Sequence, residues 1–107
     1  MEAKDRAEII RKAFDDKKAS DIEVINVADK TTLAEYFVIC ACSSSTQVKA
    51  CADEAEEKAK EAGFPAHHIE GYQGAAWILL DFGDVVAHVM TKETREFYDI
   101  ERLWQEL

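Results

Sequence analysis

Apolar residues recur at helical spacing from the start of the chain. Ala3, Ala7, Ile10 and Phe14 form one stripe, which predicts a helix from about Ala3 to Lys18. Lys17 and Lys18 suit its negative C-terminal end. The pattern then changes to DIEVINVA, a β-branched run that predicts a strand from Ile22 to Val27. A polar connection, ADKTTLAE, leads to YFVICAC, Tyr36 to Cys42. That run is too uniformly apolar to have a wet face, so it belongs in the middle of a sheet.

The clearest helix lies in SSSTQVKACADEAEEKAKEAGFP. Ser44 followed by Gln47 fits a capping box, in which two side chains satisfy orphan amides at a helix start. Val48, Ala52, Ala55, Ala59 and Ala62 make the buried stripe, and a stripe mainly of alanine lets a helix lie close on a sheet. Glu54, Glu57, Lys58 and Lys60 take the solvated side. Gly63 suits the left-handed position after the last turn, and Pro65 bars continuation. A short strand is expected around His68 to Glu70, then the loop GYQG, then two apolar strands around a tight turn, WILLDFGDVVAHVM, Trp77 to Met90. In the tail, TKETREFYDIERLWQEL, Thr91 can cap a turn of helix to about Tyr98. Asp99 can cap a second one carrying Ile100, Leu103 and Trp104. The order is α-β-β-α-β-β-β-α, an α/β fold with α+β character in one domain over residues 1–107.

Side chains alternate along a strand, so Trp77, Leu79 and Asp81 share one face, and Ile78 and Leu80 the other. On the return strand Val86, His88 and Met90 lie opposite Val85, Ala87 and Val89. A two-residue Phe82-Gly83 loop would pair Trp77 with His88, but its type I′ turn would put Phe82 at positive φ. A three-residue loop, Asp81-Phe82-Gly83, sets Gly83 at the left-handed position of a G1 bulge and pairs Trp77 with Ala87; turn chemistry favours it. In either register large apolar groups occupy both faces. The two main helices can cover one face, which leaves the other to the tail, to loops or to another molecule. Unless Phe97 and Trp104 in the tail seal it, a contiguous apolar remnant marks a contact surface, where aromatics and methionine are enriched. Asp81 and Asp84 flank the turn. Aspartate is common in turns for local reasons, but these two also put carboxylates beside the patch, suited to a partner rich in Lys or Arg.

Charge sharpens that expectation. The 107 residues carry 13 Lys and Arg against 22 Asp and Glu, a net charge of −9. This balance disfavours a bare phosphate backbone, so direct nucleic-acid binding is not expected to dominate. It favours a basic protein partner, and it also serves solubility. No apolar run approaches the roughly 20 residues of a membrane span. The start, MEAKDRAEII, is charged and helical in pattern rather than secretory. Cys40, Cys42 and Cys51 make an odd count without disulfide spacing, which suggests a reducing, cytoplasmic setting.

Candidate chemistry is sparse. DFG at Asp81 to Gly83 matches a kinase magnesium motif but lacks the Gly-rich and HRD loops that go with it. Cys40, Cys42, His67 and His68 make no zinc quartet of usual spacing. Cys51 lies mid-helix, away from the dipole that would activate it. His88 with Asp81 or Asp84 could be an acid–base pair, but no placed nucleophile accompanies it. Ser43 to Thr46 precede a helix N-terminus that could hold an anion, and capping alone explains them. No catalytic residue, cofactor or metal is expected.

The string ADKTTLAEYFVICACSSSTQVKACADEAEEKAKEAGFP, the Glu70-Gly71 pair, WILLDFGDVVAHVM and REFYDIERLW, in order and at matching spacing, resemble the ribosomal silencing factor family, also called Iojap-like proteins. The resemblance runs from about Ile22 to Trp104. It implies a nucleotidyltransferase-like fold, a mixed sheet with helices packed on it, in proteins not known as enzymes. It implies a partner, the large ribosomal subunit, held through ribosomal protein number fourteen, a basic protein on the face where the subunits meet. The implied action is to block small-subunit joining and so repress translation; organelle versions are involved in large-subunit assembly. By similarity Trp77, Asp81, Asp84, His88 and Tyr98 face the partner, and Leu79 and Met90 join them on the argument from strand faces. Cys42 and Gln47 stand where many relatives have Gly and His, departures that bear on the loop before the second helix. Two rivals stay open. One is a small nucleotidyltransferase-like nucleotide-binding enzyme, although the Gly-Ser pair with spaced carboxylates that such enzymes use is missing from the sequence. The other is a homodimer that buries the second face against itself.

Overall fold

The computed structural model describes residues 1–106, so the last position of the expected 1–107 domain lies outside the described residues. Helix α1, Ala3–Asp16, buries the expected stripe together with Ala13. It stops before Lys18 because the chain turns there. Lys18 takes φ 67°, and the Ala19 amide reaches back to the Phe14 carbonyl at 3.1 Å. Strand β1, Ser20–Asn26, starts earlier than expected, with an irregular register between Ser20 and Glu23 where Asp21 has φ 49°. A bulge of this kind bends a sheet edge. Strand β2, Tyr36–Cys42, has the expected bounds and is buried at every position after the first.

Helix α2, Ser45–Glu61, is capped by Ser44, whose hydroxyl accepts from the Gln47 amide at 3.1 Å. Gln47 does not return the second bond of a capping box to the Ser44 amide. Its Oε1 accepts from the Ser43 amide at 2.8 Å, and its Nε2 donates to the Lys17 and Lys18 carbonyls at 3.2 and 2.9 Å. The start of α2 is thereby tied to the chain leaving α1. At the other end Gly63, at φ 91°, lets its own amide reach the Lys60 carbonyl and lets the Phe64 amide reach the Ala59 carbonyl at 2.9 Å. This is the paired closure that a left-handed residue after a helix allows.

Strand β3 is His68–Glu70, β4 is Trp77–Asp81 and β5 is Val85–Thr91. Helix α3, Lys92–Tyr98, follows directly, with the Thr91 hydroxyl accepting from the Thr94 amide. Asp99 divides the tail as expected, but as a left-handed joint at φ 46° before helix α4, Ile100–Glu106. Among the described residues the strands form one five-stranded sheet in the order β1-β2-β5-β4-β3. Strands β2 and β5 are parallel and the other pairs antiparallel, so the sheet is mixed. Strand β2 has neighbours on both sides, which explains its dry run.

The main core lies under α1 and α2. Phe14, Ile10, Val48 and the alanines of α2 meet Val38, Cys40, Ile78, Leu80, Ala87 and Val89 of the sheet. A second cluster forms on the opposite face, where Ile25, Val27, Phe37, Ile39 and Met90 pack with Trp77, Val86, Ile100 and Trp104.

The hairpin takes neither expected register. Trp77 pairs with Met90, Leu79 with His88 and Asp81 with Val86. The Phe82 amide donates to the Val85 carbonyl at 2.9 Å, which leaves Gly83, at φ 93°, and Asp84 at the tip. Both expected loops put Phe82 at the tip. In the structure Phe82 is 1% exposed and stacks edge-on against Phe64 at 5.8 Å. Burying a phenylalanine contributes about 1.5–3 kcal/mol, more than the difference between turn types, so packing moves the turn. Glycine at the first tip position then supplies the positive φ.

Candidate partner-docking face

Cross-strand partners share a face of a sheet. The observed register therefore places Trp77, Leu79 and Asp81 with Met90, His88 and Val86, and these with Ala41, Ile39 and Phe37 of β2. A row of rings crosses this face. Phe97 meets Tyr98 at 4.9 Å between centroids, Tyr98 meets Trp77 at 5.0 Å, and Trp77 meets His88 at 5.9 Å. The row continues from His88 to Phe37 at 4.9 Å and from Phe37 to Trp104 at 5.0 Å. Strands β4, β5 and β2 supply the middle of the row, and the two tail helices supply its ends.

The tail therefore covers part of the second face. Trp104 and Ile100 of α4 close it over β2 and β1. Towards β4 the face stays open. Trp77 and Leu79 are half-buried, Tyr98 is 55% exposed and Phe97 80%. Leu103 of α4 is also exposed. The open part lies beside Glu70 and His68, which pair with Leu79 and Asp81, with His68 Nε2 at 3.3 Å from Glu70 Oε1.

The seven residues expected to face a partner divide into three groups. Trp77, Leu79 and Tyr98 line the open part. Met90 and His88 are buried in the free chain, at 0% and 6% exposure, and stand beneath it. Asp81 and Asp84 are half-buried and already engaged. Asp81 Oδ1 accepts from the Gly83 amide at 2.8 Å, and both Asp84 carboxylate oxygens accept from Arg6 Nη1, at 3.2 and 3.3 Å. The local turn role of aspartate is thus realised, and Asp84 in addition ties the hairpin tip to α1.

His88 is the unusual group. Trp77 Nε1 donates to His88 Nδ1 at 3.2 Å. Acceptance there requires a neutral ring with its proton on Nε2, and Nε2 is buried without a partner among the described residues. Burial pushes the imidazole pKa down to about 4. The ring is therefore uncharged across the physiological range and supports Trp77 rather than moving protons.

Two residues of α3 run against their hydrophobicity. Phe97, expected among the groups that could seal the face, projects outward, and Arg95 is buried at 7% exposure. Arg95 Nη2 donates to Glu23 at 2.9 Å, Nε donates to Glu101 at 3.1 Å, and Nη1 donates to the Asp21 carbonyl. Nothing local marks Arg95 in the sequence, because two of its three acceptors, Glu23 and Asp21, lie far away in the chain. A groove of about 650 Å³ beside it is lined by Asp21, Glu23, Lys92, Glu96, Asp99 and Glu101. The cysteines lie on the other side of the sheet. All three are buried thiols, with Cys42 and Cys51 in contact at 3.7 Å between sulfurs, and burial pushes the Cys40 thiol up.

Comparison with known proteins bears on what such a face is for. The model of a family described as ribosomal silencing factor during starvation matches residues 1–107. A ribosomal silencing factor of Halalkalibacterium halodurans is 42% identical over 92 residues, covering 86% of this chain and 79% of that protein. A mouse protein named for mitochondrial assembly of the ribosomal large subunit is 35% identical over 91 residues, covering 82% of this chain and 40% of the mouse protein. The crystal structure of a protein from Chromobacterium violaceum superposes with a TM-score of 0.96 at 37% identity, covering 98% of this chain and 88% of that one.

Proposed function

Because the chain belongs to the ribosomal silencing factor family, we propose that it represses translation by seating itself on the large ribosomal subunit where the small subunit joins. The partner is ribosomal protein number fourteen, a basic protein, and the contact is the open end of the aromatic row. Two bodies cannot fill one volume, so an obstacle on the joining face lowers subunit association by mass action. No bond is made or broken, and no catalytic group is needed.

The observation that carries this reading is the incomplete closure of the second sheet face. Tyr98 lies on half-buried Trp77 and Phe97 on Tyr98, and both tail rings face solvent. An aromatic group of this kind forms the usual centre of a protein interface, and about 800 Å² per partner is a standard size. The net charge of −9 suits a cationic surface and speeds encounter with it. Buried Met90 and His88 act by holding Trp77 in place, and Glu70 offers an acid beside Leu79.

The test is sedimentation of separated ribosomal subunits mixed with purified protein. The reading predicts free subunits at saturating protein, and normal joining would refute it. A second reading, a role in large-subunit assembly, is favoured by the name of the mouse relative and uses the same surface. It predicts that loss of the protein makes precursor large subunits accumulate. Self-association through the same face would compete with the ribosome, so dimer formation should weaken as large subunits are added.

A further inference from the structure

Helix α3 is rotated the wrong way for its composition. It turns Arg95 inward and Phe97 outward. Transfer from water favours the reverse, because burying a phenylalanine is favourable and burying a guanidinium is costly unless its donors are paired. Pairing is what the structure supplies. The three acceptors of Arg95 come from two elements: Glu23 and the carbonyl of Asp21 at the irregular start of β1, and Glu101 on α4. The planar fork of arginine meets all three at once, which a lysine ammonium does not reproduce.

The dependence runs in both directions. Glu101 Oε2 is buried without a partner among the described residues, so the compensation of that carboxylate rests on the bond from Arg95 to its other oxygen. The Arg95 carbonyl accepts from the Asp99 amide at 2.8 Å, at the left-handed joint between the two tail helices. One residue thus holds α3 to the sheet edge, α4 to α3, and the joint between them.

We infer that Arg95 is the positioning residue of the docking patch: its ion pairs with Glu23 and Glu101 fix the rotation of α3 that turns Phe97 and Tyr98 outward beside Trp77. This rests on the docking reading above for its consequence, though not for its geometry. Without the clasp, α3 is free to roll Phe97 toward the sheet, and α4 loses the charge that compensates Glu101. The partner-facing rings would then be misplaced while the helix-covered core stays whole.

The test uses the full chain with Arg95→Met, which keeps apolar bulk and removes the fork. Glu101→Gln is a milder companion that keeps an acceptor. Hydrogen exchange in the free protein reads the geometry. Amides of residues 94–104 should exchange at least tenfold faster in Arg95→Met, with β2, β5 and α2 unchanged, and less so in Glu101→Gln. Unchanged exchange in the tail would overturn the inference. Co-sedimentation with large subunits reads the consequence. Arg95→Met should bind at least tenfold more weakly, and Arg95→Lys should recover only part of the loss. Wild-type affinity in Arg95→Met despite a loosened tail would also overturn it. Phe97→Ala and Tyr98→Ala, with the clasp intact, separate the two ideas. If they bind normally, the docking surface lies elsewhere, whereas the exchange result judges the clasp on its own. Should Arg95→Met fail to fold, Glu101→Gln and Arg95→Lys carry the same comparisons.

Discussion

Trp77 donates its indole N–H to the buried, neutral ring of His88 at 3.2 Å, and this bond couples the open part of the sheet face to the closed part. The donor is half exposed and belongs to the proposed contact surface. The acceptor is enclosed between Trp77 and Phe37. A protonated imidazole cannot accept that bond, so the orientation of Trp77 depends on His88 staying neutral.

A pH dependence of stability follows. His88 titrates at about 4 in the folded chain, against 6.5 for the free side chain. Between those values the unfolded chain binds a proton that the folded chain does not, so stability rises with pH across the window. The contribution is complete above about 6.5 and is lost as pH falls toward 4, on the order of 3 kcal/mol in all. His88→Gln can still accept from Trp77 but does not titrate. Urea unfolding from pH 7.5 to 4 should show a shallower slope for the variant than for the wild type; equal slopes would mean that His88 is not a buried neutral acceptor.

Gly71 and Gly63 both hold positive φ, yet alanine should affect them differently. At Gly71, φ 81°, a Cβ would lie 2.1 Å from the Trp77 carbonyl oxygen, whereas at Gly63, φ 91°, it meets nothing within 4 Å. Gly63→Ala should cost about 1 kcal/mol, the backbone term alone. Gly71→Ala should cost several times as much, because the start of β4 must move. Thermal denaturation of the pair checks this, and similar losses at both positions would contradict the close approach.

Asp84 is expected to matter more for the fold than for the partner. Its bond to Arg6 joins the hairpin tip to α1, with both side chains about a third exposed. A partly exposed pair of this kind contributes roughly 0–1 kcal/mol. Asp84→Asn should lower stability by no more than that and leave large-subunit affinity within about twofold. A large loss of affinity with unchanged stability would place Asp84 at the contact instead.

Much of the fold was legible in the sequence because the signals were local. The stripes of α1 and α2, the serine cap at Ser44, the stop at Gly63 and the dry run of β2 each depend on residues close together in the chain. The elements and their order came out as expected, with the tail divided at Asp99. The hairpin register was not legible. Turn propensity pointed to a tip holding Phe82, and a distant contact with Phe64 decided otherwise. Arg95 escaped notice for the same reason, since Glu23 and Asp21 lie some seventy residues earlier. At the site, strand alternation placed Trp77 and Leu79 on one face, but alternation cannot say how deep a residue lies. It therefore grouped enclosed Met90 with half-open Trp77 and could not show that Phe97 projects outward.

The most direct measurement is the affinity of the purified chain for isolated large subunits, wild type against Trp77→Ala, with circular dichroism confirming that the variant is folded. Removing the indole takes away the ring under Tyr98 and the bond to His88. The variant is expected to fold, to bind at least tenfold more weakly and no longer to block subunit joining. A folded variant with wild-type affinity would contradict the proposed docking face.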